Sequence, residues 1–323
     1  MKSIKKMNEF EIISSFFKNL TPDRDDVILG PGDDAACLDL PKNHYLLVST
    51  DTLVANRHFL SCWDAYDIAY KAVMVNVSDM AAMAAKPLWL TMSITLPDFD
   101  EGWMRRFASG LKKALDLCQV SLVGGDLTKG PLTIGVTIHG AAPKGSFISR
   151  KNAKPGDSVF VTGPLGGPAF VVESINDNKA EGSLPEALVK SLKNPFPRID
   201  FRGLLQNFAT SAIDISDGLS SDLKHICDAS VVGAVIHETK LPVNAYLKDL
   251  CPERALTYAL NGGDEYELCL TVSAAKEEQF LSALIKSNQT CYKIGTITSN
   301  NNYQIIKSDG TECSLQPKGY HHF

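Results

Sequence analysis

A set of aspartates stands out by position rather than by number. Asp33 and Asp34 are adjacent in a Gly/Pro-rich turn, Gly30-Pro31-Gly32-Asp33-Asp34-Ala35-Ala36. Asp51 follows Ser49 and Thr50 at the expected carboxyl end of an apolar strand that begins at Tyr45. Asp79 interrupts the small apolar stretch Asn76-Val77-Ser78-Asp79-Met80-Ala81-Ala82-Met83, on the same helix face as Asn76, three residues earlier. Asp126 follows Gly124-Gly125 after a short apolar strand, and Asp214 and Asp217 bracket Ile215-Ser216 in another apolar run. Neighbouring carboxylates repel, and a carboxylate among apolar residues is costly unless it is paired or bound to a cation. Hard divalent cations take oxygen ligands, and Mg²⁺ combines a few carboxylates with phosphates and water. The hydroxyls of Ser49 and Thr50 would complete or support such a site. Zinc is not expected, because His and Cys are not clustered. So many carboxylates call for several cations, several cations call for a polyanionic ligand, and the chemistry that follows is phosphoryl transfer.

Bland readings stand beside these. Asp33 and Asp34 could be a solvated turn, and Ser216 or Asp217 could be a helix N-cap. Asp79 and Asp214 are harder to dismiss, since both lie inside apolar runs. His58 stands a few residues beyond Asp51, and Arg150 is either solvated linker charge or a clamp on a nucleotide phosphate. The chain has neither a Walker A loop nor the protein-kinase signature set. Gly30-x-Gly32-x-x-Ala35 meets the relaxed dinucleotide pattern only by turning Asp33 and Asp34 towards a pyrophosphate. Asp214-Ile-Ser-Asp217 is one residue too long for the Asp-x-Asp of phosphatases, which leaves a Mg²⁺-dependent phosphatase as the alternative reading.

The elements that must position these residues alternate along the chain. A helix is expected over Glu9 to Leu20, a strand from Tyr45, a long helix over Asp64 to Ala85 and a strand over Pro87 to Leu96. A helix over Asp100 to Leu117 and strands over Val120 to Val123 and Thr133 to Ala142 follow. The Lys, Gly, Ser, Arg and Pro of residues 143–156 suggest a junction, so two domains are expected, 1–145 and 146–323. The second begins with a strand over Ser158 to Thr162, turns through Gly163-Pro164-Leu165-Gly166-Gly167 into a helix, and continues with helices and strands to Ile306. This alternation indicates an α/β or α+β fold.

Composition limits the classes. At 323 residues, with 44% hydrophobic and 21% charged content, the chain has the make-up of an ordinary globular protein. A net charge of −5 argues against a nucleic-acid partner held by phosphate neutralisation. No apolar run approaches the ~20 residues that span a bilayer. Met1 to Phe10 has lysines but no apolar core behind them, so no secretory signal is expected. The eight cysteines are dispersed without Cys-x-x-Cys, which suits reduced thiols and a cytoplasmic location.

Taken in order, Gly-Asp-Asp-Ala, Ser-Thr-Asp-Thr-Leu-Val with His58-Phe59 behind it, Asn-Val-Ser-Asp-Met-Ala-Ala-Met, Gly-Gly-Asp-Leu-Thr, Asp-Ile-Ser-Asp-Gly-Leu and Gly-Gly-Asp-Glu-Tyr-Glu-Leu resemble the thiamine-monophosphate kinase family. The likeness runs from about residue 9 to the closing Gly319-Tyr320-His321-His322-Phe323. Any one motif alone is shared with the wider superfamily of aminoimidazole ribonucleotide synthetase and selenophosphate synthetase, so another ATP-dependent enzyme of that superfamily is a further alternative. The resemblance implies a two-domain aminoimidazole ribonucleotide synthetase-like fold and a homodimer whose N-terminal domains complete a β-barrel. It implies Mg²⁺- and ATP-dependent phosphorylation of thiamine monophosphate to thiamine diphosphate, with no general acid or base. By position it puts metal ligands on Asp34, Ser49, Thr50, Asp51, Asp79, Asp126, Asp214 and Asp217, with Asp33 as a further one. It puts ATP contacts on Gly125, Asp126, Arg150 and Ser216, and substrate contacts on His58, Asp264 and Tyr320. The N-terminal domain would bind Mg²⁺ and ATP and dimerise, and the C-terminal domain would complete the active site. This chain departs from the family at one point. The family usually reads Gly-Gly-Glu-Asp-Tyr-Glu-Leu, whereas here Asp264 precedes Glu265. The carboxylate at the substrate position is one methylene shorter, so either it reaches through water or Glu265 takes part.

Overall fold

Period-two burial along the first long strand shows how the N-terminal unit is built. Leu47 and Leu53 are buried while Leu46 and Val48 are exposed, so one face of the strand meets a core and the other does not. The computed structural model describes residues 7–177 and 179–320. His321, His322 and Phe323 of the closing motif lie outside the described residues, as do residues 1–6 of the segment expected to lack a signal peptide. Within the described residues the chain forms two compact units, one of residues 7–80 and 85–144 and one of residues 81–84, 145–177 and 179–320.

In chain order the first unit holds α1 (Glu9–Phe16), β1 (Val27–Leu29), β2 (Cys37–Leu38), β3 (His44–Val54), α2 (Ala65–Ala82), β4 (Lys86–Leu96), α3 (Glu101–Cys118), β5 (Ser121–Lys129) and β6 (Thr133–Pro143). Its main sheet has four strands in the order β3-β6-β4-β5, antiparallel except for the β4/β5 pair. α2 is rich in Ala, Val and Met and buried almost all round, as expected of a helix inside a core. It stops at Ala82 rather than Ala85, because Ala84 turns left-handed (φ +54°) and the Ala85 N–H returns to Met80 O. α1 likewise ends a turn earlier than expected, at Phe16.

Two strand ends were misjudged from sequence. β3 does not stop at Ser49-Thr50-Asp51 but stays paired with β6 to Val54, and β5 runs through Gly124-Gly125-Asp126 to Lys129. Asp51 and Asp126 are therefore mid-strand residues. Both strands are sheet edges, where one side of the ladder remains open and polar residues are tolerated.

The second unit holds β7 (Ser158–Val161), α4 (Gly167–Asn176), α5 (Glu186–Lys193), α6 (Arg202–Phe208), β8 (Ala209–Asp214), α7 (Leu219–Ser230), β9 (Gly233–His237), α8 (Ala245–Leu250), α9 (Pro252–Asn261), β10 (Leu268–Val272), α10 (Glu277–Lys286), β11 (Tyr292–Thr298), β12 (Tyr303–Ile306) and β13 (Glu312–Ser314). Its sheet has seven strands in the order β13-β12-β9-β11-β7-β10-β8. Along β7, Val159 and Val161 join one apolar cluster with residues of α7 and α9, while Phe160 joins another with residues of α6 and α10. Helices thus cover both faces of this sheet, which explains why β7 and β10 read as unbroken apolar runs. The fold is mixed α/β with largely antiparallel sheets.

α3 packs against the start of α2 at Gly110, where an added Cβ would stand 2.1 Å from Tyr66 O. Backbone cannot yield there as a flexible side chain would. Gly110→Ala is expected to destabilise the fold by about 1–3 kcal/mol or more, read as a fall in thermal midpoint. An unchanged midpoint would contradict this packing.

Candidate active site

In the first unit the side chains of Ser49 and Asp51 share the face of β3 that carries Leu47 and Leu53. α2 lies on that face and presents Asp79, and the Ser49 hydroxyl donates to Asp79 Oδ2 at 2.6 Å. Asp51 keeps some surface, yet the protein packed around it and the Asp79 charge push its carboxyl up to about 6. Thr50 points the other way. Its hydroxyl lies 2.9 Å from Val136 O, to which it donates, and 3.0 Å from the Thr137 hydroxyl, so it does not join this pair.

The remaining first-unit residues are arranged around other elements. The Asp33-Asp34 turn is exposed, with Gly32 left-handed (φ +124°), and Asp33 Oδ1 accepts the Asp34 N–H at 2.8 Å. Asp33 therefore braces its own turn with one oxygen. His58 follows β3, and its Nδ1 accepts the Val54 N–H at 3.0 Å, so in the neutral ring the proton sits on Nε2. Asp126 does not join Asp51 and Asp79 within this sheet. In register, Asp51 faces Val136, Val136 faces Met92 and Met92 faces Gly125, a path of roughly 14 Å at the usual strand spacing. Asp126 pairs with Ser93 at the far edge.

In the second unit three segments converge. β8 ends at Asp214, which is 5% exposed, and the chain continues through Ser216 and Asp217 to α7. Neither Ser216 nor Asp217 caps α7, because the N-cap is Gly218. The segment 262–267 pairs with this turn: the Asp264 N–H donates to Ser216 O at 2.8 Å, and the Tyr266 N–H donates to Ile215 O at 2.9 Å. Asp264 (φ +65°) and Tyr266 (φ +53°) are both left-handed, a conformation non-glycine residues rarely hold except where surrounding structure imposes it. The Tyr266 hydroxyl donates to Asp264 Oδ1 at 2.9 Å. The third segment is the end of the described chain, where the Tyr320 N–H donates to Asp217 O at 3.0 Å. Arg150 is exposed, and its carbonyl accepts the Ser230 hydroxyl at the end of α7.

One acidic residue of this cluster was missed from sequence. Asp222, 2% exposed, accepts the N–H groups of Asp217 and Gly218 through Oδ2 at 3.1 and 3.0 Å. Burial, and then the charges of Asp214 and Asp217, push its carboxyl up to about 8. Asp217, Asp222 and His225 each bring a ligand atom within 4.8 Å of the others. The available signal was an acid one turn inside a helix start, the usual place for a side chain that holds free amides.

Residues 32–142 match the family model for AIR synthase related protein, N-terminal domain, and residues 154–308 match its C-terminal domain. The chain is 42% identical over 318 residues to thiamine-monophosphate kinase of Escherichia coli O157:H7, covering 98% of each. The chain belongs to the thiamine-monophosphate kinase family. A crystal structure of thiamine-monophosphate kinase from Stenotrophomonas maltophilia K279a superposes with a TM-score of 0.82 at 36% identity, over 89% of this chain and 92% of that one. The structure of AaThiL complexed with AMPPCP and TMP gives 0.78 at 31% identity, over 99% and 100%.

Asp264 and Glu265 have different partners. Glu265 Oε1 accepts the Gly166 N–H at the start of α4, and burial pushes its carboxyl well above the carboxylate range. Asp264, half-buried as Glu265 is, accepts the Tyr266 hydroxyl through Oδ1. Glu267 is also a framework group, since it accepts the Thr162 hydroxyl and the Arg198 guanidinium, and burial raises it against the opposing pull of Arg198. The Gly163-to-Gly167 turn thus serves as the surface on which these glutamates settle.

Asp51 and Asp79 repel in the metal-free protein. Because the Asp51 carboxyl rises from the usual 3.8 to about 6, the cost of charging it is absent below about pH 4, grows through the interval and is full above 6. Asp51→Asn should therefore raise the thermal midpoint without divalent cations at pH 7.5 and not at pH 4. Thermal melts of both proteins at the two pH values check this, and a lower midpoint for the variant at pH 7.5 would count against it.

Proposed function

We propose that this protein transfers the γ-phosphoryl group of ATP to the phosphate of thiamine monophosphate, forming thiamine diphosphate. The relatives named for this activity and the AMPPCP and TMP complex support the reading. The observation that carries it is the grouping of carboxylates: Asp51 beside Asp79 in one unit, and Asp222 beside Asp214 and Asp217 in the other.

The donor set fits Mg²⁺, being made of carboxylate and hydroxyl oxygens without clustered thiolates. We assign Asp34, Asp51, Asp79, Asp126, Asp214 and Asp217 as the carboxylates that would hold it. Asp33 would contribute at most its second oxygen, Ser49 orients Asp79, and Thr50, whose hydroxyl is engaged with Val136 O and Thr137, would offer only its backbone oxygen. When bound, Mg²⁺ neutralises phosphate oxygens and stabilises the charge of in-line transfer.

The acceptor is a phosphate monoester whose second pKa is ~6, so at pH 7 it is already a nucleophile. It needs no general base, and we assign none. The obstacle is electrostatic, since unit charges 4 Å apart repel by ~1 kcal/mol in water and by more in a drier site. We assign Arg150 to supply positive charge for the nucleotide phosphates, and Gly125 and Ser216 as further ATP contacts. His58 offers its Nε2 proton, Asp264 a carboxylate and Tyr320 an aromatic face to the acceptor. The exposed Leu46 and Val48, on the face of β3 away from α2, support a homodimer in which two such sheets close a barrel. The eight free thiols suit a cytoplasmic location, and among the described residues no helix is long and apolar enough to cross a membrane.

Incubation with ATP, Mg²⁺ and thiamine monophosphate should yield thiamine diphosphate. Absence of product, or equal turnover of unrelated phosphate esters, would overturn the reading. Asp79→Asn should lower kcat at least about a hundredfold while circular dichroism and the thermal midpoint show an intact fold. Collapse of the fold instead would make Asp79 a structural residue.

A further inference from the structure

The first turn of α7 begins Leu219-Ser220-Ser221-Asp222, and its three polar residues are all buried, at 0%, 7% and 2% exposure. Buried polar groups need partners, and each of these holds a different stretch of backbone or a neighbouring element. Asp222 holds the Asp217 and Gly218 amides. Ser220 donates to Asn261 Oδ1 at 2.7 Å, where α9 gives way to the Asp264 segment, and accepts the Lys318 N–H at 3.3 Å. Ser221 accepts the Gly319 N–H at 3.0 Å.

Those contacts tie the end of the described chain to the first turn of α7. Leu315 is buried in the core of the second unit, but Gln316, Pro317, Lys318 and Tyr320 are exposed. Beyond Leu315 the described segment is therefore fastened by hydrogen bonds, from Lys318, Gly319 and Tyr320 to Ser220, Ser221 and Asp217. The fit at Gly319 is close: a Cβ there would stand 2.4 Å from both Asp217 O and Ser221 Oγ.

We propose that Ser221 is a positioning residue for the phosphate acceptor. It latches Gly319 against the Asp217 turn, so that Tyr320, the next residue, stands where thiamine monophosphate is received. The inference rests on the reading of Tyr320 as a substrate residue. It predicts a split that a general loss of stability would not produce, because the latch acts on the acceptor side alone while Asp222 continues to hold Asp217.

The test compares the wild-type protein with Ser221→Ala and Gly319→Ala, in steady-state kinetics and in amide hydrogen exchange without substrates. Losing one neutral hydrogen bond corresponds to about a three- to tenfold change. Ser221→Ala should raise KM for thiamine monophosphate by about that factor, with KM for ATP and the thermal midpoint unchanged and faster exchange at Gly319 and Tyr320. Gly319→Ala, whose Cβ would press on Asp217 O as well as on Ser221 Oγ, should raise KM for thiamine monophosphate at least as much but also lower the thermal midpoint. In Ser221→Ala, equal rises in both KM values, or faster exchange with no change in KM for thiamine monophosphate, overturn the inference. If the wild-type protein itself makes no thiamine diphosphate, the functional reading fails and takes this inference with it.

Discussion

Carboxylates held near one another are the constraint on which the architecture turns. Burial, and then the neighbouring carboxylates, disfavour their charged forms, and the shifts of Asp51 and Asp222 record both. The carboxylates stay together because each is fixed by an element that cannot move cheaply. Asp51 belongs to a strand paired with β6 on both sides of it, and Asp79 to a helix buried almost all round. Part of the folding energy is thus offset by burial and repulsion at these carboxylates.

The second unit meets the same constraint by a different device. Its acids lie where a strand ends and a helix begins, and free backbone amides there are natural partners for negative charge. Asp222 takes two of those amides, and the Asp264 segment lays its own backbone along Ile215 and Ser216. Two left-handed residues one apart give that segment its path. Glu265 and Glu267 anchor it to the Gly163-to-Gly167 turn and to Arg198, while Asp264 accepts the Tyr266 hydroxyl.

Much of the fold, and the positions where acids interrupt it, were legible without coordinates, for physical reasons. An Asp inside an apolar run, as at Asp79 or Asp214, announces itself because burying a lone charge is expensive. Glycines beside acids mark close backbone approach, and strands and helices follow from period-two and helical spacing. Other features were not legible. Asp222 resembled any acid on a helix surface, and only its place under the Asp217 turn distinguishes it. The ends of β3 and β5 were set too early because a carboxylate resembles a strand terminus until the strand is known to be a sheet edge.

The sequence by itself determined which groups carry charge, which segments are apolar enough to be buried, and the order of motifs that marks the family. Those properties are local, fixed by side-chain chemistry and short-range periodicity. Only the tertiary structure decided which carboxylates become neighbours. Asp51 meets Asp79 because a strand and the helix after it pack face to face, while Asp126, alike in sequence context, lies at the other edge of the same sheet. It also decided that Thr50 turns away from Ser49, by strand alternation, and that Ser221 rather than any residue of the tail itself fastens the end of the described chain. Proximity across long stretches of sequence is set by register and packing, which no local pattern encodes.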